Sequence, residues 1–402
     1  MTAPGWDEKS QIAVASPGFP KDDRLHVLFV IDQLGRTLGG AERSLLNIVR
    51  FLPQERFRCT VLTFSIVGDP TAFQNLPCAL LVFPLKRTYD LQALWVAKRF
   101  IHLLRTQEVK IVHTFFESSD IWAGFWTKIA SSALLVSSRR DMGILRGRRH
   151  QVAYRLLAPL FDKVLAVSSQ VKAFSIRADR LDPDKVRTIY NGVDLQQFQR
   201  PESDKAPAYR SQYGPCKVVS TVSNIRKVKG IDIFVRAAAS VLRALPNTLF
   251  VVAGDISEND YFQEVQELCQ TLKVSKQIQF VGRQDNVLNV LFDSDVFCLL
   301  SRSEGFSNAL LESMASGLPS VATRVGGNAE AIDEGETGFL VESEDAAAAA
   351  DRIIFLLQNP DFAMRMGEAA RAKVAANFSC EKMISEIVNV YDELLLEKGK
   401  SA

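Results

Sequence analysis

The sequence lacks the features that would assign it to several common classes of protein. It contains no apolar run of about 18 residues, so we expect no membrane-spanning helix. Its first ten residues carry acidic side chains and a proline but no apolar stretch, so we expect no secretory signal there. The 6 cysteines form no Cys-x-x-Cys pair and the 4 histidines are dispersed, which predicts neither a structural zinc site nor a disulfide framework. This cysteine usage favours a reducing, cytoplasmic location.

A net charge is nearly absent as well. The 48 Lys and Arg residues balance the 46 Asp and Glu residues to give +2, which argues against a nucleic-acid-binding protein. The balance hides an asymmetry, because residues 1–200 carry 28 basic and 18 acidic side chains, whereas residues 201–402 carry 20 and 28. A basic half followed by an acidic half predicts two domains with different partners.

The basic residues of the first half cluster next to aromatic residues. Trp95 and Phe100 lie among them, and the clusters occupy 86–87, 98–99, 139–140 and 146–150. A solvated surface explains such clusters most simply. Attraction to an anionic membrane surface, as in a peripheral membrane protein, is the alternative, because each basic residue close to such a surface adds about 1 kcal/mol of binding free energy.

The chain does contain a long alternation of short apolar runs and segments with helical periodicity. Runs rich in Val, Ile and Leu that do not alternate with polar residues are typical of parallel strands covered on both faces. They lie at 26–31, 59–64, 80–83, 110–113, 133–137, 163–167, 217–223, 248–253, 277–281, 296–300, 320–322 and 338–341. Segments such as 41–52 and 232–245 are predicted to be helices between them. The repetition predicts an α/β fold with two doubly wound parallel sheets.

The composition also predicts the domain boundaries. Residues 196–216 are polar, contain prolines and show no periodicity, so we expect them to link the two domains. An N-terminal extension at 1–24, a first domain at 25–195 and a second domain at 217–379 follow from this. The amphipathic segment 380–402 is expected to form a helix that packs back on the first domain.

Ligands of open α/β sheets bind beyond the carboxyl ends of the strands, so polar clusters in those places are candidate sites. The first such cluster is Gly39-Gly40, followed by Glu42, after the strand at 26–31. Glycines allow a ligand to approach the backbone closely, and the helix that follows presents its N–H groups. The pair therefore predicts a loop for a phosphate or an acceptor, and a flexible turn explains it equally well.

The second cluster, residues 223–230, follows the strand at 217–223 and holds three cations within four residues. Leaving such cations unpaired is costly, which favours a bound anion. The planar guanidinium of Arg226 and the compact ammonium of Lys229 both suit a diphosphate. A solvated, charged loop is the alternative interpretation.

The third cluster gives the strongest signal. Glu304 lies in a loop after a predicted strand, and a helix is predicted to start near Ser307. The backbone amides of Phe306, Ser307 and Asn308 at such a helix start form an anion site. The carboxylates of Glu304 and Glu312 suit hydroxyl groups, which donate hydrogen bonds to them. We therefore predict a ligand with phosphates in its middle and polyols at its ends, such as a nucleotide-sugar.

Glu304 and Glu312 also form an E-x7-E element that resembles the one in retaining glycosyltransferases of the GT-B type. The chain is similar to glycosyltransferase family 4 over about residues 24–395. Further matching motifs are Gly39-Gly40-Ala41-Glu42, Tyr190-Asn191-Gly192-Val193-Asp194, Lys229-Gly230, Phe280-Val281-Gly282 and Val325-Gly326-Gly327. The resemblance implies two Rossmann-like domains that face a central cleft, with the acceptor on the first and the nucleotide-sugar on the second.

The resemblance implies catalytic and donor-binding roles for individual residues. Arg226 and Lys229 would neutralise the pyrophosphate, and the amides of residues 306–308 would hold its distal phosphate. Glu312 would bind the ribose, and Glu304 would contact the transferred sugar.

Three further residues are placed by the same resemblance. Asn224 stands where the family usually has its arginine, and Arg283 would lie near the base of the donor. His113 would contact the sugar or the acceptor, although a lone histidine at a strand end is also typical of a structural residue.

The implied activity is the transfer of a sugar from a nucleotide-diphosphate sugar, commonly a UDP-sugar, to a hydroxyl of a glycan or a lipid-linked acceptor. The implied reaction retains the anomeric configuration and uses no metal or cofactor. The Asp-x-Asp sequences at 182–184 and 293–295 agree with this, because neither lies beyond the carboxyl end of a predicted strand. A nucleotide-sugar hydrolase or epimerase and a non-catalytic nucleotide-sugar-binding subunit are the alternatives.

Overall fold

The computed structural model describes residues 23–35, 39–68, 73, 75–143, 146–199, 216–284 and 286–401. Most of the expected N-terminal extension and of the expected linker lies outside these residues. The described residues form two compact units. The first unit comprises the described parts of 23–167, 172–189 and 384–401, and the second comprises those of 168–171 and 190–383.

The first unit is built on a parallel sheet of seven strands in the order β3-β2-β1-β4-β5-β6-β7. The strands are β1 (Leu25–Gly35), β2 (Phe57–Val67), β3 (Ala79–Val82), β4 (Ile111–Phe115), β5 (Leu134–Arg139), β6 (Lys163–Ala166) and β7 (Val186–Thr188). Residues 27–31 of β1 are fully buried, as expected of a central strand that is covered on both faces. In the register of the sheet, Phe29 lies between Val61 of β2 and His113 of β4.

Helices connect these strands. They are α1 (Gly40–Phe51), α2 (Leu91–Thr106), α3 (Gly124–Ala130), α4 (Arg148–Leu157) and α5 (Ser169–Asp179), and the last helix of the chain is α13 (Cys380–Ser401). Asp90 caps α2 by accepting a hydrogen bond from the amide of Ala93 at 2.8 Å. From Ile384 onward α13 belongs to the first unit, where Tyr391 is fully buried.

The second unit contains a parallel sheet of six strands in the order β10-β9-β8-β11-β12-β13. The strands are β8 (Lys217–Val222), β9 (Thr248–Ala253), β10 (Ile278–Gly282), β11 (Val296–Leu299), β12 (Ser320–Thr323) and β13 (Phe339–Val341). The helices are α6 (Ile231–Ala244), α7 (Asn259–Thr271), α8 (Leu288–Asp293), α9 (Asn308–Ala315), α10 (Asn328–Ala331), α11 (Ala346–Gln358) and α12 (Pro360–Asn377). The apolar face of α6, including Phe234 and Val241, packs into a core with Phe250 of β9 and Ile353 of α11.

The prediction of two doubly wound, Rossmann-like parallel sheets is confirmed. In each sheet the strand order reverses next to its first strand, between β1 and β4 in one unit and between β8 and β11 in the other. Such a reversal opens a crevice at the carboxyl ends of the two strands, where open α/β sheets bind ligands. None of the helices in the described part of the chain is long and apolar enough to cross a membrane.

Candidate functional site

The loop after β8 carries the cations of the second unit to its strand-order reversal. Ile225 is buried and its amide donates to the carbonyl of Asp255 at 2.8 Å, which fixes the start of the loop. Residues 227–229 then form a single turn, which the amide of Lys229 closes by donating to the carbonyl of Arg226 at 2.8 Å. The turn thus fixes the backbone from which the Lys229 side chain extends.

Gly230 ends this turn in a conformation that only glycine adopts easily. Its φ is +64°, and a Cβ at this position would lie 2.0 Å from the carbonyl oxygen of Leu300 at the end of β11. The loop after β8 and the loop after β11 therefore touch through their backbones.

The loop after β11 carries Glu304. Its carboxylate is about 9% exposed and accepts hydrogen bonds from Lys229 Nζ at 2.8 Å to Oε1 and 3.0 Å to Oε2. The buried Ser301 hydroxyl donates to Oε1 at 2.7 Å. The lysine and the glutamate that the sequence analysis placed at the donor therefore form an ion pair.

Two glycines support the Glu304 loop from behind. Gly326 has a φ of +51°, and a Cβ there would lie 1.8 Å from the carbonyl oxygen of Glu304. The amide of Gly327 donates to the carbonyl of Gly305 at 2.9 Å, and a Cβ on Gly327 would strike the ring of Phe306 at 2.3 Å. The Val325-Gly326-Gly327 motif thus works by allowing close backbone approach.

Helix α9 begins where the sequence analysis predicts an anion site. Ser307 is the N-cap, and its hydroxyl accepts a hydrogen bond from the amide of Leu310 at 3.3 Å. The first intrahelical bond runs from the amide of Leu311 to the carbonyl of Ser307, so the amides of residues 308 and 309 precede the helical ladder. Glu312 is buried on the following turn, about 9% exposed.

Asn191 holds the residues around this helix start. Its Nδ2 donates to the carbonyl of Phe306 at 3.1 Å and to Oδ1 of Asn308 at 2.7 Å. The ring of Phe306 is buried against Tyr190 and Phe378, with centroid distances of 5.0 and 5.3 Å. Phe306 can therefore offer a ligand its backbone, and its side chain belongs to the core.

The remaining donor candidates lie on the same carboxyl edge. Asn224 is exposed directly after β8, and Arg283 is exposed directly after β10. Gly254, at the end of the intervening strand β9, approaches the carbonyl of Ser223 so closely that a Cβ would lie 2.0 Å from it. Sequence order and sheet order together place these residues on neighbouring strand ends.

The structure changes the electrostatic argument for the cation cluster. Arg226 Nε lies 3.4 Å from Glu258 Oε1, and Lys229 pairs with Glu304. The backbone hydrogen bond from Lys227, together with Arg226, holds the pKa of the exposed Glu258 carboxyl below its usual value. Two of the three cations, Arg226 and Lys229, therefore have carboxylate partners within the chain, so their charges do not by themselves require a bound anion.

In the first unit, the Gly39-Gly40 pair lies where the sequence analysis expected a loop before a helix. Gly39 is the N-cap of α1 with an ordinary φ of −72°, and a Cβ on it would meet Oε2 of Glu42 at 2.6 Å. Burial raises the pKa of the Glu42 carboxyl, and the amides of Glu42 and Gly39 act against that rise. Glycine at 39 therefore leaves room for a carboxylate that caps the helix.

His113 is a correction to the sequence-based assignment. It is fully buried in β4, where Nδ1 bonds the Tyr391 hydroxyl at 2.7 Å and Nε2 bonds the Ser138 hydroxyl at 2.9 Å. Burial, reinforced by the charge of Arg140, lowers its pKa to about 3. Both ring nitrogens are engaged inside the core, so His113 is a structural residue and cannot contact a sugar or activate a water molecule.

Sequence reasoning missed the residues that brace the cationic loop. Arg302 bonds both oxygens of Asp232 at 2.9 and 2.8 Å, and Asp232 lies in the first turn of α6. Arg302 is adjacent to the motif around Glu304, but Asp232 is 70 residues away in sequence, so no spacing rule pairs them.

The assembled groups suit a ligand that carries both phosphate groups and hydroxyl groups. An ammonium and a helix start can stabilise phosphate charge, and two buried carboxylates within the same unit can accept hydrogen bonds from hydroxyls. Within the part of the chain that the structure describes, no three His, Cys, Asp or Glu side chains come together as metal ligands would.

Comparison with known proteins agrees with this chemistry. The family model described as "Glycosyltransferase Family 4" matches residues 38–197, and the model described as "Glycosyl transferases group 1" matches residues 207–373. An N-acetyl-alpha-D-glucosaminyl L-malate synthase of Bacillus anthracis is 34% identical over 58% of this chain and 60% of its own length. The chain thus spans less than two thirds of that relative.

Other relatives are matched over more of their length. A lipopolysaccharide core biosynthesis mannosyltransferase, LpsB of Rhizobium meliloti, is 30% identical over 62% of this chain and 70% of its own. A UDP-Gal:alpha-D-GlcNAc-diphosphoundecaprenol alpha-1,3-galactosyltransferase of Escherichia coli is 24% identical over 91% of this chain and 97% of its own.

A solved structure supports the fold. HepE of Anabaena, in complex with UDP-glucose, has a TM-score of 0.79 at 22% identity and covers 92% of this chain and 100% of its own. Together, the matched models, the relatives and the E-x7-E geometry show that the chain belongs to glycosyltransferase family 4.

Proposed function

We propose that this protein is a retaining glycosyltransferase that moves a sugar from a nucleotide-diphosphate sugar, most simply a UDP-sugar, to a hydroxyl of a glycan or a lipid-linked acceptor. The contact of Lys229 Nζ with both oxygens of Glu304, at 2.8 and 3.0 Å, carries the proposal. In this proposal Lys229 is the cation that binds the diphosphate, and the adjacent Glu304 is the carboxylate that contacts the sugar.

The donor is held by the second unit. Lys229 and the amides at the start of α9 bind the two phosphates, and Arg226 contributes after it leaves Glu258. Glu312 accepts hydrogen bonds from the ribose hydroxyls, while Asn224 and Arg283 lie at the edge that the base would reach. The UDP-glucose complex of HepE supports a uridine donor.

In the reaction, the bond between the sugar and the phosphate lengthens and negative charge accumulates on the leaving diphosphate. The α9 amides are fixed by the helix before the donor binds, and Lys229 exchanges part of its contact with Glu304 for the diphosphate, so both stabilise the charge of the transition state. The acceptor hydroxyl attacks from the same face and passes its proton to the leaving phosphate, which retains the configuration. We assign no metal and no cofactor to this mechanism, and turnover is expected to be unaffected by EDTA.

The test compares Lys229→Ala with wild type and with Lys276→Ala, which removes an exposed lysine before β10 at the opposite end of the strand. Transfer from UDP-sugars to an acceptor panel is measured as acceptor-dependent UDP release. Loss of the Lys229 charge should cost about 2–4 kcal/mol of transition-state stabilisation, roughly 30- to 800-fold in turnover. The Lys276 variant should match wild type.

Three results would contradict the proposal. A folded Lys229→Ala protein with wild-type turnover removes the assigned role of the cation. Equal UDP release with and without every acceptor indicates a hydrolase. Tight binding of UDP-sugars without any turnover indicates a non-catalytic binding subunit.

A lipid-linked acceptor is favoured by a surface of the first unit, because apolar side chains of α2 and α3 are exposed there beside basic ones. Leu91 and Trp95 of α2 are 85% and 61% exposed, and Ile129 of the neighbouring helix α3 is 62% exposed. The guanidinium of Arg99 lies over the Trp95 ring at 5.3 Å. Segment 86–106 holds a single acid besides its basic residues, which suits an anionic lipid surface.

We therefore infer peripheral attachment to the cytoplasmic leaflet of a membrane, where anionic lipids and a reducing compartment meet. The free thiols of the 6 cysteines fit that compartment. Wild-type protein should sediment with vesicles of phosphatidylglycerol and phosphatidylcholine at low salt, and Trp95→Ser should weaken this. Leu396→Ser, which removes another exposed apolar side chain of the same unit, is the control. Equal recovery on pure phosphatidylcholine would contradict the inference.

A further inference from the structure

Arg302 lies in the loop after β11, two residues before Glu304, and its side chain is about one quarter exposed. A guanidinium has five N–H groups, and five hydrogen bonds leave this one. Nε and NH2 donate to the two oxygens of Glu344 at 2.5 and 3.0 Å. NH1 and NH2 donate to the two oxygens of Asp232 at 2.9 and 2.8 Å. NH1 also donates to the carbonyl of Lys227 at 2.6 Å.

These bonds tie the Glu304 loop to the Lys229 loop. Lys227 begins the turn that ends with Lys229, and its carbonyl is the acceptor that Arg302 uses. The backbone amide of Arg302 donates to the carbonyl of Val228, the middle residue of the same turn, at 2.8 Å. Asp232 lies just beyond the turn, at the start of α6. One residue thus contacts the turn at its first residue and its middle residue, and contacts the helix that follows it.

Asp232, one of the two carboxylates that face Arg302, is held in place by Tyr261. The Tyr261 hydroxyl donates to Asp232, and the amide of Asp232 donates back to that hydroxyl at 3.0 Å. Arg302 and Tyr261 hold the pKa of the Asp232 carboxyl below its usual value against the opposing effect of burial. Asp232 therefore stays ionised and keeps its bidentate contact.

Glu344, the other carboxylate partner of Arg302, adopts an uncommon backbone conformation. It has a φ of +69°, a left-handed conformation that costs a residue with a Cβ free energy unless its surroundings impose it. Its side chain is 60% exposed, yet it forms a two-point contact with Arg302. An exposed ion pair alone contributes little to stability.

We propose that Arg302 is a positioning residue that sets the distance between the Lys229 ammonium and the Glu304 carboxylate by bracing the backbone of the Lys229 turn. This inference rests on the proposed function. Arg302 itself touches neither donor nor acceptor, and it acts through Lys229. The planar guanidinium is required, because a lysine at this place would supply charge but could not bridge two carboxylates and a carbonyl at once.

The kinetic test uses Arg302→Lys. A displacement of a catalytic group by about 1 Å can cost up to 100-fold in rate, so kcat should fall about 10- to 100-fold. The dissociation constant of UDP should change less than kcat does, because the α9 amides and Glu312 stay in place while only Lys229 moves. Arg243→Lys, a change at an exposed arginine of α6 whose side chain bonds Ser240 of the same helix, should behave as wild type.

The double variant Arg302→Lys/Lys229→Ala decides whether the two residues act as one. If Arg302 acts through Lys229, the double variant should be no slower than Lys229→Ala alone. Multiplied losses, or a kcat that falls only as the folded fraction falls, would overturn the proposal and leave the proposed function standing.

A readout without turnover separates the two failures. In protein whose lysines carry 13C-methyl groups, the Lys229 signal, assigned from Lys229→Arg, should shift in Arg302→Met and stay in place in Arg243→Met. An unshifted Lys229 signal in folded Arg302→Met would overturn the positioning role. Absence of turnover with every donor tested would instead overturn the proposed function, while the Lys229 signal still tests the role of Arg302.

Discussion

Both units have charged residues at the carboxyl ends of their parallel strands, but the two units bury these residues to different extents. In the first unit, Arg139 at the end of β5 is 1% exposed and pairs with Asp120 and with Asp179, whose Oδ2 lies 3.6 Å from its Nε. In the second unit, the Lys229 side chain is 27% exposed beside Glu304. Arg139 ends a strand and Lys229 follows one, and of these two cations only Lys229 is partly open to solvent within its own unit.

This difference separates two uses of polar residues at strand ends. A buried ion network must satisfy itself, because its charges cannot be compensated by water. A partly exposed ion pair can exchange one partner for a ligand at a smaller cost. Topology therefore selects the place, and burial decides whether the residues stabilise the unit or are available for chemistry.

The largest effect that would test this contrast is on stability, in the buried network. Arg139→Met removes the cation that Asp120 pairs with, whereas Asp179 keeps its ion pair with Arg146. Breaking a buried pair by removing one partner typically costs about 3–5 kcal/mol, so the free energy of unfolding in urea should fall by that amount. The exposed substitution Arg243→Met should cost less than about 0.5 kcal/mol. A loss below about 1 kcal/mol for Arg139→Met would contradict the claim that the buried charges of the first unit stabilise it.

The next largest effect is on turnover, in the partly exposed pair of Lys229 and Glu304. Glu304→Gln retains an acceptor for Ser301 but removes the charge that faces Lys229. Turnover should fall by about 2–4 kcal/mol of transition-state free energy, as for the loss of one preorganised group. The free energy of unfolding should change by less than about 1 kcal/mol, since the pair is partly solvated. The reverse pattern, a large stability loss with normal turnover, would make this pair structural.

A smaller effect concerns His113 and pH. Its pKa in the folded protein is about 3 because of burial, whereas an unfolded histidine titrates near 6.5. As pH falls below about 6.5, the unfolded chain binds a proton that the folded protein does not, so stability present at higher pH is lost. Between pH 7.5 and 5.5 this amounts to about 1.4 kcal/mol.

The measurement compares the pH dependence of urea unfolding in His113→Gln and wild type. The variant should lose about 1.4 kcal/mol less than wild type between pH 7.5 and 5.5. His102→Gln, a change at an exposed histidine of α2, should keep the wild-type dependence. Identical pH profiles for wild type and His113→Gln would show that His113 is accessible to protons.

The smallest predicted effect compares two helix caps. Asp90 caps α2 in the first unit, and Ser307 caps α9 in the second. Replacement of either by Ala should lower the free energy of unfolding by about 1 kcal/mol. Only Ser307→Ala should also weaken UDP binding, because only α9 lies at the proposed donor site. Equal UDP affinity in both variants would contradict a contact between the start of α9 and the donor.

Much of the fold follows from local pattern. Non-alternating apolar runs predicted strands such as β1 and β9, because a strand covered on both faces has apolar side chains on both. The sequence analysis also placed Lys229, Glu304 and Ser307 at strand ends and a helix start, where the structure has them. These features depend on neighbours along the chain, which the sequence displays directly.

Features that depend on distant residues were not predictable in this way. His113 looked like a site residue because it ends a strand, but Tyr391 lies 278 positions away and closes the core over it. Arg302 looked unremarkable because Asp232 and Glu344 meet it only after the sheet has formed. Its role depends on two contacts that no spacing rule connects.

The sequence by itself determined the alternation of strands and helices and the points along the chain at which charged residues leave a strand, because periodicity and turn chemistry are local. Only the tertiary structure decided which of those residues are buried and which remain exposed. Burial depends on which residues pack over the end of a strand. The free energy of a charged side chain depends far more on that burial than on the residues next to it in sequence.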